Sequence, residues 1–356
     1  MDAPKQIDGT RDYGARRLTI ELTNVCNLHC GYCLRDEDAL YHNPANFLPV
    51  DLLKRVMGQA RESMGIEQVM FTGGEPTLHP NFAGIIAAVA SQNLKCSFVT
   101  NGWHFERVWP ILAQHRDTVT HVAFSLDGVT RKDHDHWRGQ GSFDRVVRAF
   151  SRCWASDFPF VVKVGIRRDT VPQFEQVAVF AARLGAAGLS FAHIMPTSND
   201  IANASALTLA ERAEADREIA LLARIFKMRI SIDVGYYNTD PAPPCSALVG
   251  ASGNVDYRGH LSLCCNLSGF RGANGKEDIV ADLNVEDFDV AYARMQRLAA
   301  TQAEDRQLML KRVADENREA DLTEGSPCLY CLNSFAKTPW SASAPVTIGK
   351  SLPIVS

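Results

Sequence analysis

From residue 17 to residue 194, short runs rich in β-branched and apolar residues alternate with stretches whose apolar residues recur at helical spacing, and this alternation leaves the chain few possible folds. The runs cover 17–22, 68–72, 95–100, 121–125, 160–167 and 189–194. Between them Leu52, Leu53, Val56, Met57 and Ala60 share one helical face, and Ile85, Ile86, Val89 and Ala90 share another; similar faces recur over 105–115, 142–156 and 174–184. Strands joined through helices must run parallel, because an antiparallel neighbour needs only a tight turn. Thr208, with Glu211 three residues on, reads as a capping box that opens a sixth helix to about residue 226, ahead of a strand-like stretch over 228–234. The expected fold class is therefore α/β, a partial (β/α)6 TIM-like barrel two units short of the complete eight.

After Val234 the texture changes to Gly235-Tyr236-Tyr237 and then to Asp240-Pro241-Ala242-Pro243-Pro244, which is turn and linker chemistry. This divides the chain into an extension over 1–15, the barrel over 16–234, a small second domain over 235–336 and a Ser/Pro-rich tail over 337–356. The second domain is expected to hold a hairpin over 251–267, with turns at Gly253-Asn254 and Arg258-Gly259, and a charged helix over about 286–320. With 46% hydrophobic residues the chain can bury a large core, and a net charge of -4 gives no general attraction to nucleic acid or anionic lipid. Residues 1–17 have no apolar signal core, and no stretch reaches the roughly 18 uninterrupted apolar residues of a membrane span. A cytoplasmic protein without nucleic-acid or membrane partners is expected.

Ten cysteines in such a chain point away from disulfides and toward metal or redox chemistry. Cys26-x3-Cys30-x2-Cys33 follows the first strand, at the carboxyl end of the barrel, where active sites of barrels lie. Three soft thiolates suit iron-sulfur or zinc and leave one metal position free of protein; a zinc site would borrow a fourth ligand such as His29. Gly73-Gly74-Glu75-Pro76 follows the second strand, where glycines let backbone approach a ligand and a carboxylate can face an ammonium group. Thr100-Asn101-Gly102 ends the third strand, and Ser125-Leu126-Asp127-Gly128 ends the fourth with a hydroxyl and a carboxylate suited to ribose. In 134–138, His134, Asp135 and His136 are dense enough for a metal site, although a solvated loop explains them as well.

In that order and on those elements, the cysteine motif with Tyr32 and the Gly-Gly-Glu-Pro motif resemble the radical S-adenosylmethionine (SAM) superfamily over about residues 16–200. The resemblance implies a [4Fe-4S] cluster on Cys26, Cys30 and Cys33, with SAM chelating the open iron. It places Tyr32 by the adenine, and Gly73, Gly74 and Glu75 at the cofactor's amino group. Ser125 and Asp127 match ribose and carboxylate contacts, Asn101 falls within the family pattern, and Arg138 matches an arginine that pairs with the cofactor carboxylate.

Cys245-x13-Gly259-x4-Cys264, followed by Cys328-x2-Cys331, supplies four more thiolates, enough to close a zinc or iron-sulfur site. The segment resembles the opening of a SPASM domain, and with no cysteine after Cys331 the set is similar to the shortened Twitch form with one auxiliary [4Fe-4S] cluster. The resemblance implies reductive cleavage of SAM, with the electron drawn from a low-potential donor such as flavodoxin or ferredoxin, to methionine and a 5′-deoxyadenosyl radical that takes hydrogen from a substrate carbon. The one-cluster pattern favours oxidative, dehydrogenase-like tailoring of a small metabolite. Cross-linking, oxidation or epimerisation of a ribosomally made peptide is the alternative, and a non-enzymatic zinc or iron-sulfur interaction protein is the alternative of another class.

Candidates for substrate contact are Arg167, Asp169, His193 and Tyr236 at strand ends, and Cys265. Neighbouring residues on a strand face opposite ways, so Cys264 is expected to reach the auxiliary cluster. Cys265 is then either an apolar thiol packed with Leu261, Leu263 and Leu267 or a hydrogen-atom donor in the pocket. Cys96 and Cys153 are expected to be buried thiols.

Overall fold

The computed structural model describes residues 16–35, 44–198, 204–270 and 278–338. The expected extension over 1–15 and the tail from 339 onward lie outside the described residues. Seven strands lie side by side in chain order and all parallel: β1 (Arg17–Glu21), β2 (Gln68–Thr72), β3 (Lys95–Thr100), β4 (Val119–Ser125), β5 (Phe160–Ile166), β6 (Gly188–His193) and β7 (Arg229–Val234). The intervening helices are α1 (Val50–Ser63), α2 (Phe82–Ser91), α3 (Phe105–Gln114), α4 (Arg131–Arg138), α5 (Ser142–Ala155), α6 (Phe174–Arg183) and α7 (Leu209–Ile225). Thr208 and Glu211 form both halves of the capping box that starts α7.

The sequence of β5, Phe-Val-Val-Lys-Val-Gly-Ile, alternates buried and half-buried positions. Its buried face packs with the continuous core that includes Phe150, Phe160, Val162 and Val164, while the other face, carrying Lys163, meets a less crowded interior. The alternation is the expected signature of a barrel sheet covered by helices outside and left partly open within. Cys96 and Cys153 are fully buried in this core, as expected.

The sheet runs on across the change of texture at 234. β8 (Ser252–Val255) pairs parallel with β1, and β9 (His260–Ser262) and β10 (Ile279–Asp282) extend the edge antiparallel, giving one sheet in the order β10-β9-β8-β1-β2-β3-β4-β5-β6-β7. Gly253-Asn254, expected as a turn, lies inside β8. A Cβ at Gly253 would come 2.7 Å from the Met295 sulfur of α8 (Phe288–Asp315), so the glycine serves the close packing of that helix on the strand. The turn falls instead at 256–259, where Gly259 has φ +90°. Short helices α9 (Leu322–Gly325) and α10 (Pro327–Ser334) follow α8. Among the described residues no helix is long and apolar enough to cross a membrane.

Candidate active site and auxiliary cysteine centre

The carboxyl ends of β1 to β7 meet at one rim, and the loop after β1 carries Cys26, Cys30 and Cys33, all half-buried. Backbone contacts fix this loop. Gly74 donates its N–H to Thr23 O at 2.7 Å and Glu75 donates to Val25 O at 2.7 Å, while Cys33 N–H closes a turn on Cys30 O. Gly73 sits at φ +122°, and a Cβ there would lie 2.5 Å from Thr23 O; a Cβ on Gly74 would overlap the Val25 carbonyl. The approach these glycines permit is thus to the cysteine loop's own backbone.

Glu75 is buried, and burial pushes its carboxyl up despite its hydrogen bonds. Oε1 accepts from the Thr77 N–H, the Thr77 hydroxyl and the Thr100 hydroxyl; Oε2 accepts from Asn101 N–H alone. Only Oε2 therefore keeps room for a ligand ammonium. Asn101 also donates its side-chain amide to Asn27 Oδ1 at 3.1 Å, which ties the end of β3 to the cysteine loop.

A second group crosses the rim. Asp127 Oδ2 accepts from Tyr32 Oη and Arg138 Nε, Oδ1 accepts from Arg167 Nη1 at 2.7 Å, and Arg138 Nη2 donates to Tyr32 Oη at 2.6 Å. Burial alone would raise the Asp127 carboxyl, yet Arg138 and Arg167 hold it well below the usual carboxylate range. Tyr32, Asp127 and Arg138 are thus brought together, with the Arg138 guanidinium engaged by protein groups in this structure. Arg167 is fully buried, pairs with Asp127 and Asp169, and lies over the Tyr32 and Trp137 rings at 4.7 and 4.3 Å. Its charge is taken up within the rim, which it braces. Asp169 further accepts from Trp137 Nε1 at 2.6 Å.

The 134–138 segment is helix, not loop. His134 Nδ1 accepts from Asp127 N–H, and Asp135 accepts from Gly141 N–H, Phe143 N–H and the Ser142 hydroxyl, so both residues are committed to local structure.

Ser125 lies one level below this group, beside residues the sequence reading passed over. The strand register aligns Ser125 with Lys163, Lys163 with Ser190 and Ser190 with Ser231. Lys163 Nζ donates to Ser190 Oγ at 3.0 Å and to Asp233 Oδ2 at 2.9 Å, and Ser231 Oγ donates to Asp233 Oδ1 at 2.9 Å. Burial works against it, but Lys163 and these hydroxyls hold Asp233 down to about 2. The available signal was a lysine at an inward position of an otherwise apolar alternating strand.

The second cysteine group gathers from three segments. Burial raises the thiols of Cys245, Cys328 and Cys331, and Cys264 is raised first by its hydrogen bond with Cys265 and then by burial; Cys245 and Cys328 each push Cys331 further up, and Cys328 does the same to Cys264. Gly235 donates its N–H to Cys328 Sγ at 3.4 Å, and Tyr236 donates its hydroxyl to Pro244 O at 2.7 Å, so Tyr236 pins the approach to Cys245. Cys264 and Cys265 lie beyond β9 in a turn, where the two thiols hydrogen-bond to each other. The opposite-face argument for this pair therefore does not apply, because the strand ends at Ser262, and Cys265 is half-buried beside the other thiols instead of packed with leucines. His193 is tied to Asp216 at 3.0 Å and pushed down to about 4 by burial.

Both donor sets fit iron-sulfur clusters. Cys26 is pushed up to about 12 by burial, then by the charges of Glu75, Cys30 and Cys33, so its thiol stays protonated unless a cationic metal centre takes it as thiolate. Among the described residues no three His, Cys, Asp or Glu side chains stand as a single-ion site.

A Radical SAM superfamily profile matches residues 20–181. Mycofactocin maturase MftC of Mycobacterium tuberculosis is 35% identical over 172 residues, which is 48% of this chain and 42% of that protein. The chain thus matches less than half the length of that relative. Among solved structures, Streptococcus suis SuiB bound to precursor peptide SuiA superposes with a TM-score of 0.63 at 17% identity, over 79% of this chain and 66% of SuiB. The structure of anSMEcpe with bound AdoMet gives 0.63 at 15% identity, over 92% of this chain and 97% of that one. The structural likenesses show the fold, and the profile match shows that residues 20–181 resemble the Radical SAM superfamily.

Proposed function

We propose that the chain is an oxidative radical SAM enzyme in which Cys26, Cys30 and Cys33 hold the SAM-binding [4Fe-4S] cluster and Cys245, Cys264, Cys328 and Cys331 hold an auxiliary one. The observation that carries the reading is the clamp of Gly73, Gly74 and Glu75 on the cysteine loop, set beside the Tyr32–Asp127–Arg138 group on the same rim. When bound, the cluster and SAM supply a 5′-deoxyadenosyl radical that takes hydrogen from a substrate carbon.

The protein's part is to bind, aim and shield. Glu75 Oε2 and the neighbouring backbone receive the cofactor's ammonium, Arg138 receives its carboxylate by a fork geometry while Asp127 keeps a partner in Arg167, and Tyr32 offers its ring to the adenine. Asn101 holds Glu75 and the loop in register, and Ser125 offers a hydroxyl toward the ribose. Below them the Lys163, Ser190, Ser231 and Asp233 side chains give the substrate a polar floor.

The substrate reading that the relatives support is a peptide, since MftC is a maturase and SuiB binds a precursor peptide. A small metabolite is the second reading, carried by the four-thiol set of Cys245, Cys264, Cys328 and Cys331, which suits a single auxiliary cluster. Flavodoxin or ferredoxin is the proposed electron donor. Anaerobically reconstituted protein should bind about eight irons, four per cluster, and form deoxyadenosine with a low-potential reductant. Replacing Cys26, Cys30 and Cys33 together by Ala should halve the iron and abolish deoxyadenosine. Cleavage that persists in this variant would overturn the assignment, and turnover of a peptide or of a small alcohol separates the two substrate readings.

A further inference from the structure

Three arginines in the described chain are essentially buried: Arg167, Arg212 and Arg306, at 0%, 2% and 1% exposure. Arg167 is matched by two carboxylates. The other two are not. Arg212 donates to Gly235 O at 2.7 Å and to Leu207 O at 3.4 Å. Arg306 donates to the carbonyls of Asn238, Asp240 and Gly325, and its Nε has no partner among the described residues. No described carboxylate stands within ion-pair distance of either guanidinium; Asp216, the acid that most affects Arg212, pulls on it from further off while bonded to His193.

A buried cation without a direct ion-pair partner is costly even after the protein relaxes, so further negative charge nearby would stabilise both guanidinium groups. Both lie against the second cysteine group. Gly235 joins Arg212 to it directly, because its carbonyl takes the guanidinium and its N–H touches Cys328 Sγ. Gly325, which accepts from Arg306, ends α9 two residues before α10 begins and three before Cys328. The groups that pull on Arg306 are Cys331, Tyr236, Cys245 and Tyr330, and of these the cysteines become permanent anions once they ligate metal.

We propose that Arg212 and Arg306 are built-in counter-charges for a net-anionic four-thiolate cluster on Cys245, Cys264, Cys328 and Cys331, and that they raise its reduction potential so that it accepts one electron from the substrate radical left by hydrogen abstraction. The physical reason is simple: reduction adds one negative charge to the centre, and a fixed cation beside it in a low-dielectric interior stabilises the reduced form more than the oxidised one. Arg167, neutralised by Asp127 and Asp169, has no such effect to offer at the rim. The inference rests on the reading that the second cysteine group holds an iron-sulfur cluster, and it favours net oxidation of the substrate over a redox-neutral outcome.

The test is a potentiometric titration, followed by electron paramagnetic resonance, of reconstituted full-length chain in which Cys26, Cys30 and Cys33 are Ala, so that only the second centre reports. Arg212→Met and Arg306→Met should each lower the midpoint potential with iron retained, and Arg306→Lys, which keeps charge but loses the fork, should stay near the parent. Unchanged potentials in both Met variants, or a shift in the Lys variant as large as in the Met variant, would overturn the proposal. If Arg306→Met loses its iron, recovery of iron in Arg306→Lys supports the counter-charge role, and loss in both assigns the arginine to architecture alone. A second centre that holds zinc and shows no redox signal also defeats it. Deoxyadenosine formation by the protein with its first cysteines intact reports separately on the proposed enzyme activity.

Discussion

Asp127 is the single residue on which most of the rim depends, since it neutralises Arg167 from one oxygen and meets Arg138 and Tyr32 from the other. Asp127→Asn would leave the Arg138 guanidinium without a carboxylate and Arg167 with Asp169 alone, and it should destabilise the protein by about 3–5 kcal/mol in denaturant titrations. Arg138→Ala should cost less, because Arg167 still satisfies the carboxylate. The pH dependence follows from the sign of the shift. The folded-state carboxyl lies below its unfolded value of about 3.9, so its stabilisation is complete above that pH and is lost as the pH falls through the folded value. The difference in stability between parent and Asp127→Asn apoprotein should therefore be constant near neutrality and shrink below about pH 4. A difference that persists unchanged into acid would show that the carboxylate's charge is not what Asp127 contributes. Tyr32, Asp127 and Arg138 could be singled out from the sequence because each falls in a short motif, the first two after strands and the third at the end of α4. Their mutual contact could not, because it depends on the register of three separate loops. Lys163 and Asp233 carried no motif, and their pairing exists only because β5, β6 and β7 align.

At the level of elements, the β/α alternation made the seven parallel strands readable in advance, since helical and strand periods differ and both are carried by apolar residues. The return of β8 to the free edge of β1 was not readable. Pairing across more than two hundred residues leaves no local trace, and Gly253-Asn254 is as good a turn signal as exists in isolation. The same limit applies to Gly73 and Gly74, where the sequence says that backbone comes close but not to what. The structure answers that it is the cysteine loop, and this makes a sharp prediction. Gly74→Ala puts a methyl group into the Val25 carbonyl and must break the paired bonds from Gly74 and Glu75 to Thr23 and Val25. Iron at the first site should fall while iron at the second is retained, with far-ultraviolet circular dichroism unchanged. Full iron loading of the Gly74→Ala protein would mean that the loop is held by some other contact.

Across the whole molecule, the two cysteine groups are joined by Arg35, which follows Cys33 by two residues. Its Nη2 pairs with Glu21 Oε1 of β1 at 3.0 Å, and its Nη1 donates to Cys265 O at 3.2 Å and to Ser268 O. Backbone at Arg35 also bridges antiparallel to Phe270. One side chain thus anchors the first cysteine loop to the barrel floor and to the turn that carries Cys264. These two roles separate experimentally, because the pairing with Glu21 is a matter of charge and the bonds to Cys265 and Ser268 are a matter of position. Glu21 is 1% exposed and its carboxyl is raised by burial against the pull of Arg35, so removing the cation alone strands a buried acid. Arg35→Met should therefore cost about 3–5 kcal/mol of stability, and the Arg35→Met/Glu21→Gln double variant should recover much of it, with a coupling energy well above the roughly 0.5 kcal/mol expected of independent sites. Iron loading should behave differently. The double variant still lacks the bonds to Cys265 and Ser268, so it should remain as poorly loaded at both centres as Arg35→Met itself. Additive stability effects would sink the charge argument, and full iron loading of the double variant would sink the tether; the latter result would mean that the two cysteine groups are held in place independently of each other.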